Sequence, residues 1–364
     1  MDTKGLLKNL VTFKSLTPKD DGAFTYIKNL FIDFEVIEQE IEGVKNLFLY
    51  KKYGEGRHLC FAGHIDVVPS GEGWSSDPFI PLEKDGYIYG RGTQDMKSGV
   101  AVAISAILES SHKGTISLLL TSDEEGDGIY GTKEMLKLLD SKNLLPDMVI
   151  VAEPTSERKV CDTIKVGRRG SINGKLTLKG RQGHAAYPNK SDTPIDKIAP
   201  ILPRIAGYLL DNGDDFFDPS RFTITDIRAG MEVSNVTPNE LKMMFNVRNS
   251  TNTSLEDIRD FVKKGFDGCE YELDLKQGSF PFITNRDASV VQHSIKAIKN
   301  ICGYEPTLST SGGTSDARYF GGEYHIPVVE IGVVNDRIHA VDERVGIEEL
   351  ERLKDVYKEL IRIL

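Results

Sequence analysis

The sequence predicts an α/β fold with a mostly parallel sheet, interrupted by a smaller inserted α+β domain. Three observations predict it. Short apolar runs alternate with helical patterns through the first half, strand-like alternation takes over after about Gly170, and the first texture returns after Pro281. A chain of 364 residues is also longer than one typical domain.

The opening MDTKGLLKNLVTF sets charges between its apolar residues and reads as an amphipathic helix, not a secretory leader. Leu59–Ala62, Ile116–Leu120 and Met148–Ala152 are short and almost wholly apolar, as buried strands are. Ser98–Ser110 and Thr132–Leu139 carry apolar residues at helical spacing. Beyond Gly170, Ile172–Lys179 alternates as a strand and Pro194–Asp211 reads as a helix. Strands at Arg221–Ala229 and Glu240–Asn249, a helix at Ser254–Phe266 and a strand at Glu270–Lys276 follow. That order, strand–helix–strand–strand–helix–strand, predicts a compact α+β unit. The α/β texture then resumes with a helix at Ala288–Ile301, a strand at Val328–Ile331 and a helix at Ile347–Leu364. The expected division is one domain from 1–169 and 282–364, and an insertion spanning 170–281.

A net charge of −10 argues against nucleic acid or an anionic membrane surface as partner, since both need a basic face. The longest apolar stretch, near Val100–Leu108, is too short to span a bilayer. Cys60, Cys161, Cys269 and Cys302 form neither a CxxC pair nor a disulfide framework, so reduced thiols and a cytoplasmic location are expected.

The chemistry lies where the strands end. Leu59–Ala62 runs into Gly63-His64-Ile65-Asp66, Ile116–Leu120 into Asp123-Glu124-Glu125, and Met148–Ala152 into Glu153-Pro154. Val328–Ile331 leads through a loop to His339. Sites in open α/β sheets form beyond the carboxyl ends of strands, so these groups are expected at one edge. Asp95 joins them from the glycine-rich turn Gly90–Lys97. Crowded carboxylates resist joint ionisation, and a divalent cation relieves that. Two histidines with three carboxylates exceed one tetrahedral zinc but suit two ions sharing a carboxylate. Imidazole with carboxylate favours zinc, with cobalt or manganese able to substitute. Taken singly, each residue has a plainer reading: His64 as a loop histidine, Asp95 as a helix cap, Glu124-Glu125 as a solvated turn.

Gly63-His64-Ile65-Asp66-Val67-Val68-Pro69, Tyr89-Gly90-Arg91-Gly92 with Asp95-Met96-Lys97, Ser122–Gly126 and Glu153-Pro154-Thr155 together resemble the motifs of the zinc-dependent aminoacylase and carboxypeptidase family. The resemblance runs in order over nearly the whole chain. It implies a zinc-peptidase catalytic domain with an inserted lid and dimerisation domain. It further implies one zinc on His64, Asp95 and Glu153, and a second on Asp95, Glu125 and His339. Asp66 would stand behind His64 and fix its tautomer. Glu124 would be the general base, accepting a proton from the attacking water and returning it to the leaving amine. His184, in Gln182–Pro188, would stabilise the oxyanion in the site of a partner subunit, making the protein a homodimer. Three positions depart from the pattern: Ile65 where threonine is common, Gln94 where a small residue is usual, and Ala317 where glycine is frequent.

Lys165–Ser171, Phe245–Arg248, Ser311–Arg318 and the opening Ser15-Leu16-Thr17-Pro18 resemble the branch of that family acting on N-succinyl-LL-2,6-diaminopimelate. That small substrate is anionic, and arginine forks suit carboxylates. The expected contacts are Arg168, Arg248, Thr314, Ser315, Asn335, Asn235 and Tyr187. Two other readings stay open on the residues: a related deacylase, such as one acting on acetylornithine, or a dipeptidase; and a metal-binding protein without turnover. The presence of Glu124 weighs against the last.

Overall fold

A computed structural model describes residues 1–364 and divides them into two compact units. The first comprises Met1–Gly167, Ile283–Ser309 and Ser315–Leu364; the second comprises Arg168–Phe282 and Thr310–Thr314. This differs from the expected division at residues 168, 169, 282 and 310–314, which belong to the second unit.

An eight-stranded mixed sheet organises the first unit. Its strands run from edge to edge as Glu35–Ile41, Val44–Lys52, Thr115–Thr121, His58–His64, Met148–Val151, Val328–Glu330, Thr163–Lys165 and Thr307–Ser309. The four central strands, Thr115–Thr121 to Val328–Glu330, are parallel. The hairpin Glu35–Ile41/Val44–Lys52 adds an antiparallel edge that the sequence reading did not anticipate. Every residue of His58–His64 is buried, which is why its sequence shows no polar alternation.

The helix Lys97–Leu108 packs against His58–His64 and Thr115–Thr121, and is covered in turn by Thr3–Thr12 and Ile347–Ile363. It is buried on nearly every side, and its small residues allow close approach. An alanine-sized Cβ at Gly99 would lie 2.1 Å from the Ala152 carbonyl oxygen. No helix is long and apolar enough to cross a membrane.

The second unit carries a four-stranded antiparallel sheet in the order Arg221–Ala229, Glu240–Arg248, Ser171–Lys179, Tyr271–Ser279. Ile172, Leu176, Leu178, Phe222, Phe245 and Val247 make its core with Ile258, Val262 and Phe266 of the helix Leu255–Gly265. That helix starts at a capping box in which Ser254 and Asp257 satisfy one another's backbone amides. The single helix expected over Pro194–Asp211 is two short ones, Pro194–Ile198 and Leu202–Ile205. Pro203 lacks the N–H that a continuous helix would use, and Gly207 turns the chain at φ 74°.

Candidate metal centre

The carboxyl ends of the central strands bring the predicted donors of the first unit together. His64 closes its strand, Glu124 and Glu125 follow Thr115–Thr121, and Glu153 follows Met148–Val151. The His64 Nε2 atom lies 3.2 Å from Asp95 Oδ1 and 3.9 Å from both Glu124 Oε2 and Glu153 Oε1. On the other side of Asp95, His339 Nε2 lies 3.4 Å from Oδ2 and 2.9 Å from Glu125 Oε1. Asp95 therefore faces one imidazole with each oxygen.

These spacings fit a metal. Ligand atoms about 2.0–2.1 Å from a tetrahedral zinc lie roughly 3.3 Å from one another. Two overlapping donor groups emerge from the geometry, His64 with Glu124 and Glu153, and His64 with Asp95 and Glu125. Geometry alone thus places Glu124 among the donors, whereas the family resemblance reserves it as base. Asp95 standing between two imidazoles agrees with a shared ligand.

Charge crowding is marked. Burial pushes the Glu124 carboxyl well above the usual range, and Asp316, Asp95 and Glu125 push the same way against His64. Glu153 is likewise raised, first by burial and then by Asp95 and Glu124. Burial would lower His64, but Asp95, Glu124, Asp66 and Glu153 outweigh it and hold the imidazole well above its ordinary value. His339 is raised to about 10, chiefly by its hydrogen bonds to Asp95 and Glu125. Asp95 itself is pulled below the ordinary carboxylate range by His339 and His64, against burial. Such crowding of carboxylates is what a divalent cation would relieve.

Asp66 stands behind His64. The carbonyl oxygen of Asp66, not its carboxylate, takes the His64 Nδ1–H at 2.9 Å and leaves Nε2 as the donor atom. Its carboxylate, 3.6 Å from Nδ1, accepts the backbone N–H groups of Glu124 and Glu125 at 3.3 and 3.1 Å. Asp66 therefore anchors the loop that presents those two residues.

The sequence reading missed several partners. Glu343 accepts the backbone N–H of Asp95 and pairs with buried Arg91. Gln94, noted as a departure, holds the loop leading to His339: it donates to Asp336 at 2.5 Å and accepts the Arg337 N–H at 2.8 Å. Asp316, buried and bonded by Thr132 Oγ1, adds to the field on Glu124. Each of these links residues more than 180 positions apart, and no local pattern announces them.

The remaining predicted contacts are placed as follows. In the second unit, Arg168 is buried and donates to the carbonyls of Ser311 and Gly313, so it organises the glycine loop. Arg248 Nη1 donates to Thr314 Oγ1 at 3.4 Å. His184 Nδ1 accepts the Ala186 N–H at 3.0 Å, which leaves Nε2–H as an outward donor, and its ring packs on exposed Tyr187. Asn235 accepts the Ala185 N–H through its carbonyl. In the first unit, the Ser315 hydroxyl is buried and donates to Glu330. Asn335 bonds Ser156 through its backbone N–H.

Comparison with known proteins gives the family. Residues 60–363 match the family model described as Peptidase family M20/M25/M40. The chain is 58% identical over 362 residues to a succinyl-diaminopimelate desuccinylase of Sulfurimonas denitrificans, covering 99% of each chain. It is 58% identical, with the same coverage, to a protein of that name from Nautilia profundicola. Among solved structures, aminopeptidase PepT of Bacillus cereus shares the fold at a TM-score of 0.82 and 24% identity, over 99% of this chain and 97% of that one. The strand-end donors and these full-length likenesses converge, and the chain belongs to peptidase family M20/M25/M40.

Proposed function

We propose that this chain hydrolyses N-succinyl-LL-2,6-diaminopimelate to succinate and LL-2,6-diaminopimelate. The hydrolytic part is carried by the convergence of His64, Asp95, Glu124, Glu125, Glu153 and His339 on one patch, buried at His64 and Glu153 and open to solvent at His339. The choice of substrate rests on likeness, across 99% of both chains, to proteins named as desuccinylases.

His64, Asp95 and Glu153 would hold one divalent ion, and Asp95, Glu125 and His339 a second, with zinc the first choice and cobalt or manganese able to replace it. When bound, the ions supply Lewis acidity and lower the pKa of the attacking water. Glu124 takes the proton of that water and delivers it to the leaving amine, a task suited to a carboxyl that burial already holds high. Asp66 keeps Glu124 in reach by holding two adjacent amides. The Nε2–H of His184 is the donor proposed for the oxyanion, acting in a partner subunit of a homodimer. Arg248, exposed beside Thr314, is the proposed fork for a substrate carboxylate, and Arg168 shapes the loop that carries Thr314. Reduced cysteines and a small biosynthetic substrate fit a cytoplasmic enzyme.

The test is metal analysis of the purified protein with a side-by-side assay of N-succinyl-LL-diaminopimelate and N-acetylornithine. Two divalent ions per chain and a clear preference for the succinylated substrate are expected. Preference for N-acetylornithine would refute the substrate assignment, and full activity in metal-free protein would refute the mechanism.

A further inference from the structure

We propose that Arg91 and Glu343 form a buried clamp that sets the spacing of the metal donors, as positioning residues rather than ligands. The inference rests on the metal-dependent reading given above.

Arg91 and Glu343 are both fully buried, with Nη1 2.7 Å from Oε2. Replacing such a pair with apolar groups is often harmless to stability, so burial of two charges here calls for a reason beyond stability. The hydrogen bonds supply one. Glu343 Oε1 accepts the N–H groups of Gln94 at 2.7 Å and Asp95 at 3.1 Å, while Oε2 also accepts that of Gly92 at 3.0 Å. One carboxylate thus gathers three amides of the irregular turn delivering Asp95, including the amide of Asp95 itself.

The guanidinium reaches the other two donor segments. Nη2 donates to the carbonyls of Pro69 and Ser70, just beyond His64 and Asp66, and to the carbonyl of His339 at 3.4 Å. Nη1 donates to the Ala340 carbonyl at 3.2 Å, and the group lies over Trp74 with its centre 5.1 Å from the ring. His339 sits at φ 61°, a conformation rarely held by residues with a side chain, so its backbone needs such support. A single ion pair therefore touches the segments carrying His64, Asp95 and His339. A fixed planar fork does this where a flexible ammonium would not.

The experiment titrates zinc into substrate-free wild type, Glu343→Gln and Arg91→Lys, in competition with a chromophoric chelator, with near-ultraviolet circular dichroism as the folding control. Glu343→Gln is expected to lose about 10- to 100-fold in affinity for at least one zinc, the range seen when groups behind metal ligands are removed. Arg91→Lys is expected to show a smaller loss of the same kind. Activity of both variants should fall through kcat at limiting zinc, recover with excess zinc, and leave KM near wild type. Folded variants that bind zinc as tightly as wild type would overturn the clamp. If Glu343→Gln does not fold, Arg91→Lys decides alone, and wild-type affinity in it overturns the proposal. Wild-type protein that binds no zinc would instead sink the metal-dependent reading, and the clamp with it.

Discussion

Replacing Gly99 by alanine tests whether the approach of the helix Lys97–Leu108 to the strand Met148–Val151 controls the site. The added Cβ would lie 2.1 Å from the Ala152 oxygen and 2.7 Å from the Ala152 Cβ, against an ordinary contact of at least 3.4 Å. Helix and strand must separate by about 1 Å, and neither contact is a flexible side-chain tip. Overpacking of this kind costs about 1–3 kcal/mol, and two opposed backbones place it at the upper end. Alanine returns about 1 kcal/mol through its better helix propensity. The net loss of about 2 kcal/mol corresponds to a fall in Tm of roughly 4–8 °C for a unit of this size. The helix begins two residues after Asp95 and Ala152 immediately precedes Glu153, so the wedge also spreads two donors. Calorimetry of the metal-free protein and a zinc titration measure both effects. A Tm at or above wild type, with zinc affinity unchanged, would refute the reasoning.

Glu124→Gln should keep its bound metal while kcat falls by about 10²- to 10⁴-fold, as expected on loss of a general base; metal analysis beside a rate assay checks this, and full activity would exclude Glu124 from proton transfer. Arg248→Met should raise KM for the succinylated substrate at least about tenfold, as loss of a charge-assisted fork implies, at unchanged metal content. Far from the donors, His58 is held down at about 4 by burial, partly opposed by Asp147, while its Nε2 meets Ser117 Oγ at 2.8 Å. Its unfolded value is near 6.5, so the unfolded chain binds the extra proton between those limits. Stability is then fully present above pH 6.5 and lost as pH falls toward 4, by up to about 3 kcal/mol from this residue. His58→Gln should flatten that part of the Tm-against-pH curve, and an unchanged slope would contradict the assignment.

What the sequence made legible follows from range. His64, Glu125 and Glu153 could be found because each sits where an apolar strand ends, and strand ends in parallel sheets share an edge. The helix Lys97–Leu108 was legible from its apolar spacing, with ends moved by one or two residues. The hairpin Glu35–Lys52 was not, because Glu35–Ile41 is an exposed edge whose EVIEQEI pattern carries little apolar signal. Cys60 shares the strand parity of His64 yet is wholly buried within the strand's apolar environment, and plays no part in the donor set. Glu343 and Asp336 were invisible because their partners lie over 240 positions away, and a lone acid after a loop has no periodicity to betray it. The break in Pro194–Asp211 was legible in principle, since Pro203 and Gly207 both interrupt the pattern.

Anomalous diffraction from zinc-loaded crystals, recorded on both sides of the zinc edge, tests the central claim most directly. Two peaks should appear per chain, one bonded by His64, Asp95 and Glu153, the other by Asp95, Glu125 and His339, with Glu124 bonded to neither. A single peak, peaks away from Asp95, or Glu124 in direct contact with an ion would contradict it.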